Sequence, residues 1–113
     1  MSAGATTVPV QIDCPTLDKM RQEDQSLTVP DVREPWEYAI CAIPGSINVP
    51  LSTLPHNLNR LSAEGPLVVL CHHGMRSMQA VAFLRQNGFE NAINLQGGID
   101  AWARQVDTSM ATY

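Results

Sequence analysis

Apolar residues along the chain fall into short runs separated by polar and turn-forming segments. Residues 67–70 (Leu-Val-Val-Leu) follow Gly65-Pro66, a pair that interrupts regular secondary structure. They are continuously apolar, which is typical of a strand buried on both faces. Residues 92–95 (Ala-Ile-Asn-Leu) are predicted to form another short strand. Three weaker runs lie at residues 10–12, 27–29 and 47–49. The runs at residues 10–12, 27–29, 67–70 and 92–95 are predicted to be short strands, and residues 47–49 form a brief apolar segment. Pro30 is expected to end the second strand because proline cannot donate to a sheet ladder.

Helical spacing occurs between these runs. Pro15 suits the first turn of a helix, and Pro35 opens a short helical turn, because neither position needs the missing N–H. A capped helix is predicted after Ser52 or Thr53, with one buried face at the i, i+4, i+7 spacing of Leu54, Leu58 and Leu61.

The longest predicted helix covers residues 76–86. Met78, Val81, Ala82 and Arg85 are predicted to lie along one stripe of this helix. Gly88 falls where a left-handed C-cap belongs, and a last helix covers residues 99–105 after Gly97-Gly98. Strands and helices alternate throughout, which predicts an α/β domain with a largely parallel sheet.

Composition limits the classes of protein that fit this pattern. The 113 residues suit one domain, with a core at about 9–106 and loose ends at 1–8 and 108–113. Seven basic and eleven acidic residues argue against a nucleic-acid surface. The sequence has neither an apolar run of about 18 residues, as a membrane span needs, nor a secretory signal. We therefore expect a cytoplasmic protein that binds neither nucleic acid nor membrane.

The three cysteines are too few and too irregularly spaced for a disulfide framework, so we expect free thiols in a reducing compartment. Cys14 and Cys41 lie beside apolar residues and are expected to pack in the interior. Cys71 differs, because it ends the buried strand and precedes a loop and a helix. Ligands of open α/β sheets bind beyond the carboxyl ends of the strands.

The segment after Cys71 carries the candidate chemistry. A loop that curls into a helix directs backbone N–H groups to one point, and the helix dipole favours the nucleophilic thiolate there. Gly74 permits a backbone conformation that other residues resist, and the Arg76 guanidinium can hold an oxyanion such as thiosulfate. The alternative is that Cys71 is only a small buried residue. The glycine and the arginine at a helix start favour the functional interpretation.

His72 and His73 raise the question of a metal. Adjacent histidines in a tight loop rarely direct both rings at one ion, and no further ligand has suitable spacing. We therefore predict no metal and no cofactor. The two rings either line the mouth of the site, where they could influence the charge of the thiol, or are solvated loop residues.

Four segments together resemble the rhodanese family over about residues 9–106. Residues 31–38 match its Asp-x-Arg segment, and residues 43–50 match its Ile-Pro-Gly turn. Residues 71–77 match its active-site loop, and residues 94–102 match its C-terminal signature. Cys41-Ala42 departs from the Gly-His of many members.

The resemblance implies a three-layer fold, with a mainly parallel five-stranded sheet between helices on both faces. It also implies a sulfurtransferase of the thiosulfate:cyanide type, in which Cys71 takes up sulfane sulfur as a persulfide. The acceptor would be cyanide, a small thiol or a protein thiol. Asp31 and Arg33 would support the site structurally, and Arg76 would bind the anion. Backbone N–H groups would form the cradle at His72, His73, Gly74, Met75, Arg76 and Ser77.

Other functions remain open on the sequence. A non-catalytic rhodanese-like module for protein binding usually lacks the loop cysteine, which this chain keeps. A phosphatase of the same fold needs a longer loop than the four residues between Cys71 and Arg76. An arsenate reductase also needs a thiolate and an oxyanion loop. The pair His72-His73 replaces the charged residues of many thiosulfate enzymes, so the sequence does not fix the physiological donor.

Overall fold

The computed structural model describes residues 8–113 and contains five parallel strands. These are β1 (Gln11–Ile12), β2 (Pro30–Asp31), β3 (Ile47–Asn48), β4 (Leu67–Val69) and β5 (Ala92–Leu95). Strands β1, β5 and β4 pair in that order, and β2 pairs with β3. Parallel bridges from Thr28 to Leu67 and from Asp31 to Leu70 join the two groups. The order is therefore β1-β5-β4-β2-β3, with β4 in the centre, and the predicted parallel sheet is confirmed.

Helices cover both faces of this sheet. They are α1 (Cys14–Glu23), α2 (Pro35–Ile40), α3 (Met75–Gln86) and α4 (Gly98–Gln105), with two 3-10 helices at Leu51–His56 and Leu58–Arg60. Successive side chains of a strand point to opposite faces. Accordingly, Val68 and Leu70 pack with α1 and α4, whereas Leu67 and Val69 pack with α3 and the first 3-10 helix. This arrangement confirms the three-layer α/β fold.

The longest of these helices, α3, has only 12 residues. None of the helices formed by residues 8–113 is long and apolar enough to cross a membrane.

The expectation that Pro30 ends the second strand is wrong, because Pro30 begins β2. Its carbonyl still accepts a hydrogen bond from the N–H of Leu70 at 3.0 Å. On either side of this bond, the N–H of Val68 donates to the carbonyl of Thr28 and the N–H of Val32 donates to the carbonyl of Leu70, which continues the ladder. Proline removes one donor and no acceptor, so the strand loses a single bond and persists.

The predicted helix after residue 52 is replaced by two 3-10 helices. Pro55 lies inside the first of them, and in an α-helix its ring would clash with the carbonyl of Leu51. The chain takes tighter turns instead, as in the bond from the N–H of Asn57 to the carbonyl of Leu54 at 3.0 Å. Only Leu54 of the three predicted leucines is fully buried.

Helix α3 has the predicted extent but a different buried face. Its buried residues are Ser77, Ala80, Val81 and Leu84, and only Val81 belongs to the predicted stripe. The polar residue Ser77 faces inward because it contacts Cys71 and Asn94, which fixes the rotation of the helix. Gly88 has a φ of 94°, and the N–H of Phe89 donates to the carbonyl of Leu84, so the predicted left-handed cap is confirmed.

Candidate active site

Cys71 lies directly after the central strand β4 and is 1% exposed. Its Sγ accepts hydrogen bonds from the backbone N–H of Gly74 at 3.1 Å and from the Ser77 hydroxyl at 3.3 Å. Gly74 has a φ of 103°, a left-handed conformation that side chains disfavour and that turns the chain into α3. The loop thus folds back on the sulfur and places two donors on it.

The start of α4 holds the other side of this loop. The N–H of Ile99 donates to the carbonyl of Cys71 at 2.9 Å, and the N–H of Asp100 donates to the carbonyl of His72 at 3.1 Å. Gly98 permits this approach, because a Cβ there would meet both carbonyl oxygens within contact distance. The first N–H groups of helix α4 therefore bind the carbonyls of the loop, and the Gly74 N–H of the loop points to the Cys71 sulfur.

Asn94 of β5 sets the direction of the Ser77 hydroxyl. Its Nδ2 donates to Gln11 at 3.0 Å and to the carbonyl of Gly74 at 3.3 Å, which leaves Oδ1 facing Ser77. The Ser77 hydroxyl lies within hydrogen-bond distance of both this oxygen and Cys71 Sγ. Since a hydroxyl has one proton, it can donate to Asn94 or to the sulfur but not fully to both. A negative charge on the sulfur would attract it.

Arg76, expected to bind an anion, is engaged with a carboxylate. Its Nη1 and Nη2 donate to the two oxygens of Glu37 at 2.7 and 2.9 Å. These bonds lower the pKa of the buried Glu37 to about 2 against the opposing effect of burial, and Glu37 in turn raises the pKa of Arg76. Both groups are therefore ionised, and together they carry no net charge.

Asp31 and Arg33 form a second, wholly buried ion pair. Arg33 Nη2 donates to Asp31 at 2.7 Å and to the carbonyl of Cys41 at 2.6 Å, and Nη1 donates to the carbonyl of Glu37 at 3.3 Å. The pair thus ties β2 to helix α2. It lies behind Glu37 rather than in the loop.

The C-terminal segment, expected to be loose, contributes to the site. The Tyr113 hydroxyl donates to Glu37 Oε1 at 2.8 Å and accepts from Arg33 Nη1 at 2.9 Å. The ring stacks on His72 with 3.9 Å between centroids. Burial raises the pKa of Tyr113 to about 12. Tyr113 therefore forms one wall of the mouth, which its position in the sequence gave no reason to expect. Residues 1–7 of the predicted loose N-terminus lie outside the described residues.

His72 and His73 stack on each other with 4.0 Å between their ring centroids. His73 is mostly exposed, and burial lowers the pKa of His72. Both histidines have a ligand atom within 4.8 Å of Asp100. Arg104 binds Asp100 at 2.8 Å. The three side chains line the mouth of the site.

An open groove of about 590 Å³ borders the loop on its other side. Met75, which is 76% exposed, and Met78 contribute its apolar surface. Apart from His73, the remaining lining residues have no ionisable side chain.

Comparison with known proteins agrees with this geometry. The rhodanese-like domain family matches residues 14–105. The chain belongs to the rhodanese family. A sulfurtransferase of Allochromatium vinosum is 34% identical over 94 residues, which cover 83% of this chain and 88% of that protein. The rhodanese-related protein of Thermoplasma volcanium, a crystal structure, is 36% identical, with a TM-score of 0.77 and coverage of 85% and 92%.

Longer proteins also contain a similar segment. The adenylyltransferase and sulfurtransferase MOCS3-2 of Zea mays is 37% identical over 91% of this chain, but the match covers only 23% of that protein. These relatives support a sulfurtransferase role for this rhodanese domain.

Sequence reasoning located the loop of this rhodanese domain but missed three of the residues around it. Glu37 follows the Asp-x-Arg segment at a spacing that the family resemblance already contained, although no role was assigned to it. Asn94 lies within the matched C-terminal signature. Tyr113 lies outside all four matched segments, so no signal in the sequence pointed to it.

Cys14 is buried and donates to backbone carbonyls, and burial raises its pKa to about 11.

Proposed function

We propose that this rhodanese domain carries sulfane sulfur as a persulfide on Cys71. It would take the sulfur from a donor such as thiosulfate and pass it to a thiophilic acceptor, either cyanide or a thiol. One observation carries the proposal: a cysteine sulfur at the end of the central strand accepts a hydrogen bond from the Gly74 N–H, and the Ser77 hydroxyl lies 3.3 Å from the same sulfur. Donors fixed in this way stabilise a negatively charged sulfur.

The chemistry needs two displacement steps and no redox partner. The Cys71 thiolate attacks the outer sulfur of the donor, the donor's S–S bond breaks, and sulfite leaves when the donor is thiosulfate. Cys71 then carries the outer sulfur as a persulfide. The acceptor attacks this terminal sulfur, and the bond to Cys71 Sγ breaks and regenerates the thiolate.

The three cysteines are free, which suits our proposal that the protein works in the reducing cytoplasm.

The direct test is the intact mass of the reduced protein after incubation with thiosulfate or polysulfide. The wild type should gain one sulfur, and Cys71→Ser should gain none, because the attacking thiolate is missing. Cys41→Ser is the matched control, since it removes a half-buried cysteine near the mouth and should still gain sulfur.

Two results would contradict the proposal. A gain retained in full by Cys71→Ser would place the sulfur elsewhere. No gain in the wild type with either donor would favour a protein-binding module, or a phosphatase or arsenate reductase of the same fold.

A further inference from the structure

We propose that Glu37 makes this rhodanese selective for hydropersulfide donors over thiosulfate, because it neutralises Arg76 beside the Cys71 loop. The inference rests on the proposed function and concerns which sulfane donor that site accepts. Arg76 was the residue expected to hold an oxyanion. Its two terminal nitrogens are instead both bound to Glu37, at 2.7 and 2.9 Å.

The other cations near the mouth are neutralised in the same way. Arg33 is paired with Asp31 at 2.7 Å in the interior, and Arg104 is paired with Asp100 at 2.8 Å. Three arginines around the loop thus meet three carboxylates. The other arginines of residues 8–113 that form hydrogen bonds donate to backbone carbonyls outside the loop, at Pro44, Asn48 and Ala92. An entering anion therefore meets arginines that are each already paired with a carboxylate.

The two donors differ in the charge that each brings to Cys71. Thiosulfate is a dianion, so its attack by a thiolate joins two negative species and expels sulfite, again a dianion. A hydropersulfide R–S–S–H is neutral when protonated. The Cys71 thiolate attacks its outer sulfur, the bond between the two sulfurs breaks, and R–S⁻ leaves as Cys71–S–S–H forms. Only the first reaction needs a free cation to offset repulsion.

The surface of the mouth also suits an organic thiol as leaving group. His72 and Tyr113 present stacked rings, and burial keeps the pKa of His72 below its usual value, which favours the uncharged imidazole. Met75 adds exposed apolar surface at the start of α3. The R group of a hydropersulfide would find apolar contacts there, whereas the sulfonate end of thiosulfate would lose hydration without a compensating ion pair.

Glu37 acts on the donor through Arg76 and is therefore a positioning residue. Glu37→Gln is the suitable variant, because glutamine keeps the shape of the side chain. Its carbonyl oxygen can still accept from Arg76 Nη1 and the N–H of Glu34, and its amide N–H can donate to the Tyr113 oxygen, so only the bond from Arg76 Nη2 is lost. It frees the positive charge of Arg76. Glu34→Gln is the matched control: it removes the same charge at the start of α2, from an exposed residue that forms no hydrogen bond or ion pair with Arg76.

The experiment measures kcat and KM with thiosulfate and with a small alkyl hydropersulfide. In Glu37→Gln, kcat/KM for thiosulfate should rise on the order of 10-fold, mainly through a lower KM, because an exposed cation now attracts the dianion. The value for hydropersulfide should change less than about twofold. The thiosulfate reaction should also become strongly dependent on salt, since attraction to a free charge is screened. The gain should disappear in Glu37→Gln/Arg76→Gln.

Failure of this inference is distinct from failure of the proposed function. If Glu37→Gln changes both donors by the same factor, Glu37 is only structural and the selectivity proposal is wrong, although sulfur transfer stands. If the wild type takes sulfur from neither donor, the proposed function itself fails. The wild type gives a test that needs no variant: it should prefer hydropersulfide by about 10-fold or more, with a thiosulfate rate nearly independent of salt.

Discussion

Removing the Ser77 hydroxyl tests how the loop stabilises the Cys71 sulfur. Ser77 is fully buried, and its hydroxyl is the partner of Asn94 Oδ1 and lies 3.3 Å from Cys71 Sγ. Ser77→Ala leaves both acceptors without this donor. The backbone is unaffected, because alanine favours the helix at least as well as serine does.

Two separate losses follow. Burying Asn94 Oδ1 without a partner costs about 1–3 kcal/mol of the free energy of unfolding. A hydrogen bond to a charged sulfur contributes about 1.5–3 kcal/mol, and the long distance and shared proton place this one at the lower limit. A loss of about 1.5 kcal/mol in stabilising the thiolate is offset in part, because a less stabilised thiolate is a better nucleophile, and corresponds to roughly a three- to tenfold fall in the rate constant of persulfide formation.

Urea unfolding measures the first loss, and the rate of mass gain with a sulfane donor measures the second. Val81→Ala is the control, because Val81 is buried in the same helix and core but makes no hydrogen bond to Cys71. It should cost about 1–3 kcal/mol in stability and leave the rate unchanged. If Ser77→Ala loses stability but keeps the full rate, the hydroxyl serves only Asn94, and our account of how the loop stabilises the sulfur is wrong.

Two further predictions concern stability. The pKa of Glu37 is lowered to about 2 by Arg76, so its contribution is present above the ordinary value of 4.5 and is lost as pH falls from 4.5 towards 2. Urea titrations should show wild type losing about 1–2 kcal/mol more than Glu37→Gln over that range, after discounting for the partial exposure of Arg76; parallel curves would contradict the ion pair. Gly98→Ala should cost about 3 kcal/mol or more, because φ is +60° and the new Cβ would meet the carbonyl oxygens of Cys71 and His72. Gly45→Ala, also at positive φ but with no atom within 4 Å of the new Cβ, should lower the free energy of unfolding by about 1 kcal/mol. Equal losses of unfolding free energy for the two variants, measured by urea unfolding, would refute the proposed crowding at Gly98.

Hydrophobic patterning predicted the order of strands and helices because both faces of this sheet are buried. A strand such as β4, covered on each side, needs an uninterrupted apolar run, and such a run is visible in the sequence. Pro30 misled because a proline costs a strand only one donor. The helix predicted from Leu54, Leu58 and Leu61 was wrong because that spacing took no account of Pro55, whose ring favours tighter turns.

The site was predictable only as far as it is local. Cys71 and Gly74 lie in one loop and Ser77 lies in the first turn of α3, so their contact follows from a strand that turns into a helix. Glu37 is 39 positions from its partner Arg76, and Tyr113 is 76 positions from its partner Glu37. Both contacts depend on how the chain packs, so the local sequence does not predict them. Charge shows the limit best: the sequence contains Arg76, but only tertiary structure shows that its charge is neutralised.

Tyr113 has a practical consequence for anyone preparing this protein. Its ring lies on His72 and its hydroxyl on Glu37, so any chain that continues after it begins beside the mouth. An affinity tag fused there could displace the ring or crowd the entrance. Kinetic constants from such material would then describe an altered entrance, and a cleavable tag would let the same preparation be assayed before and after its removal.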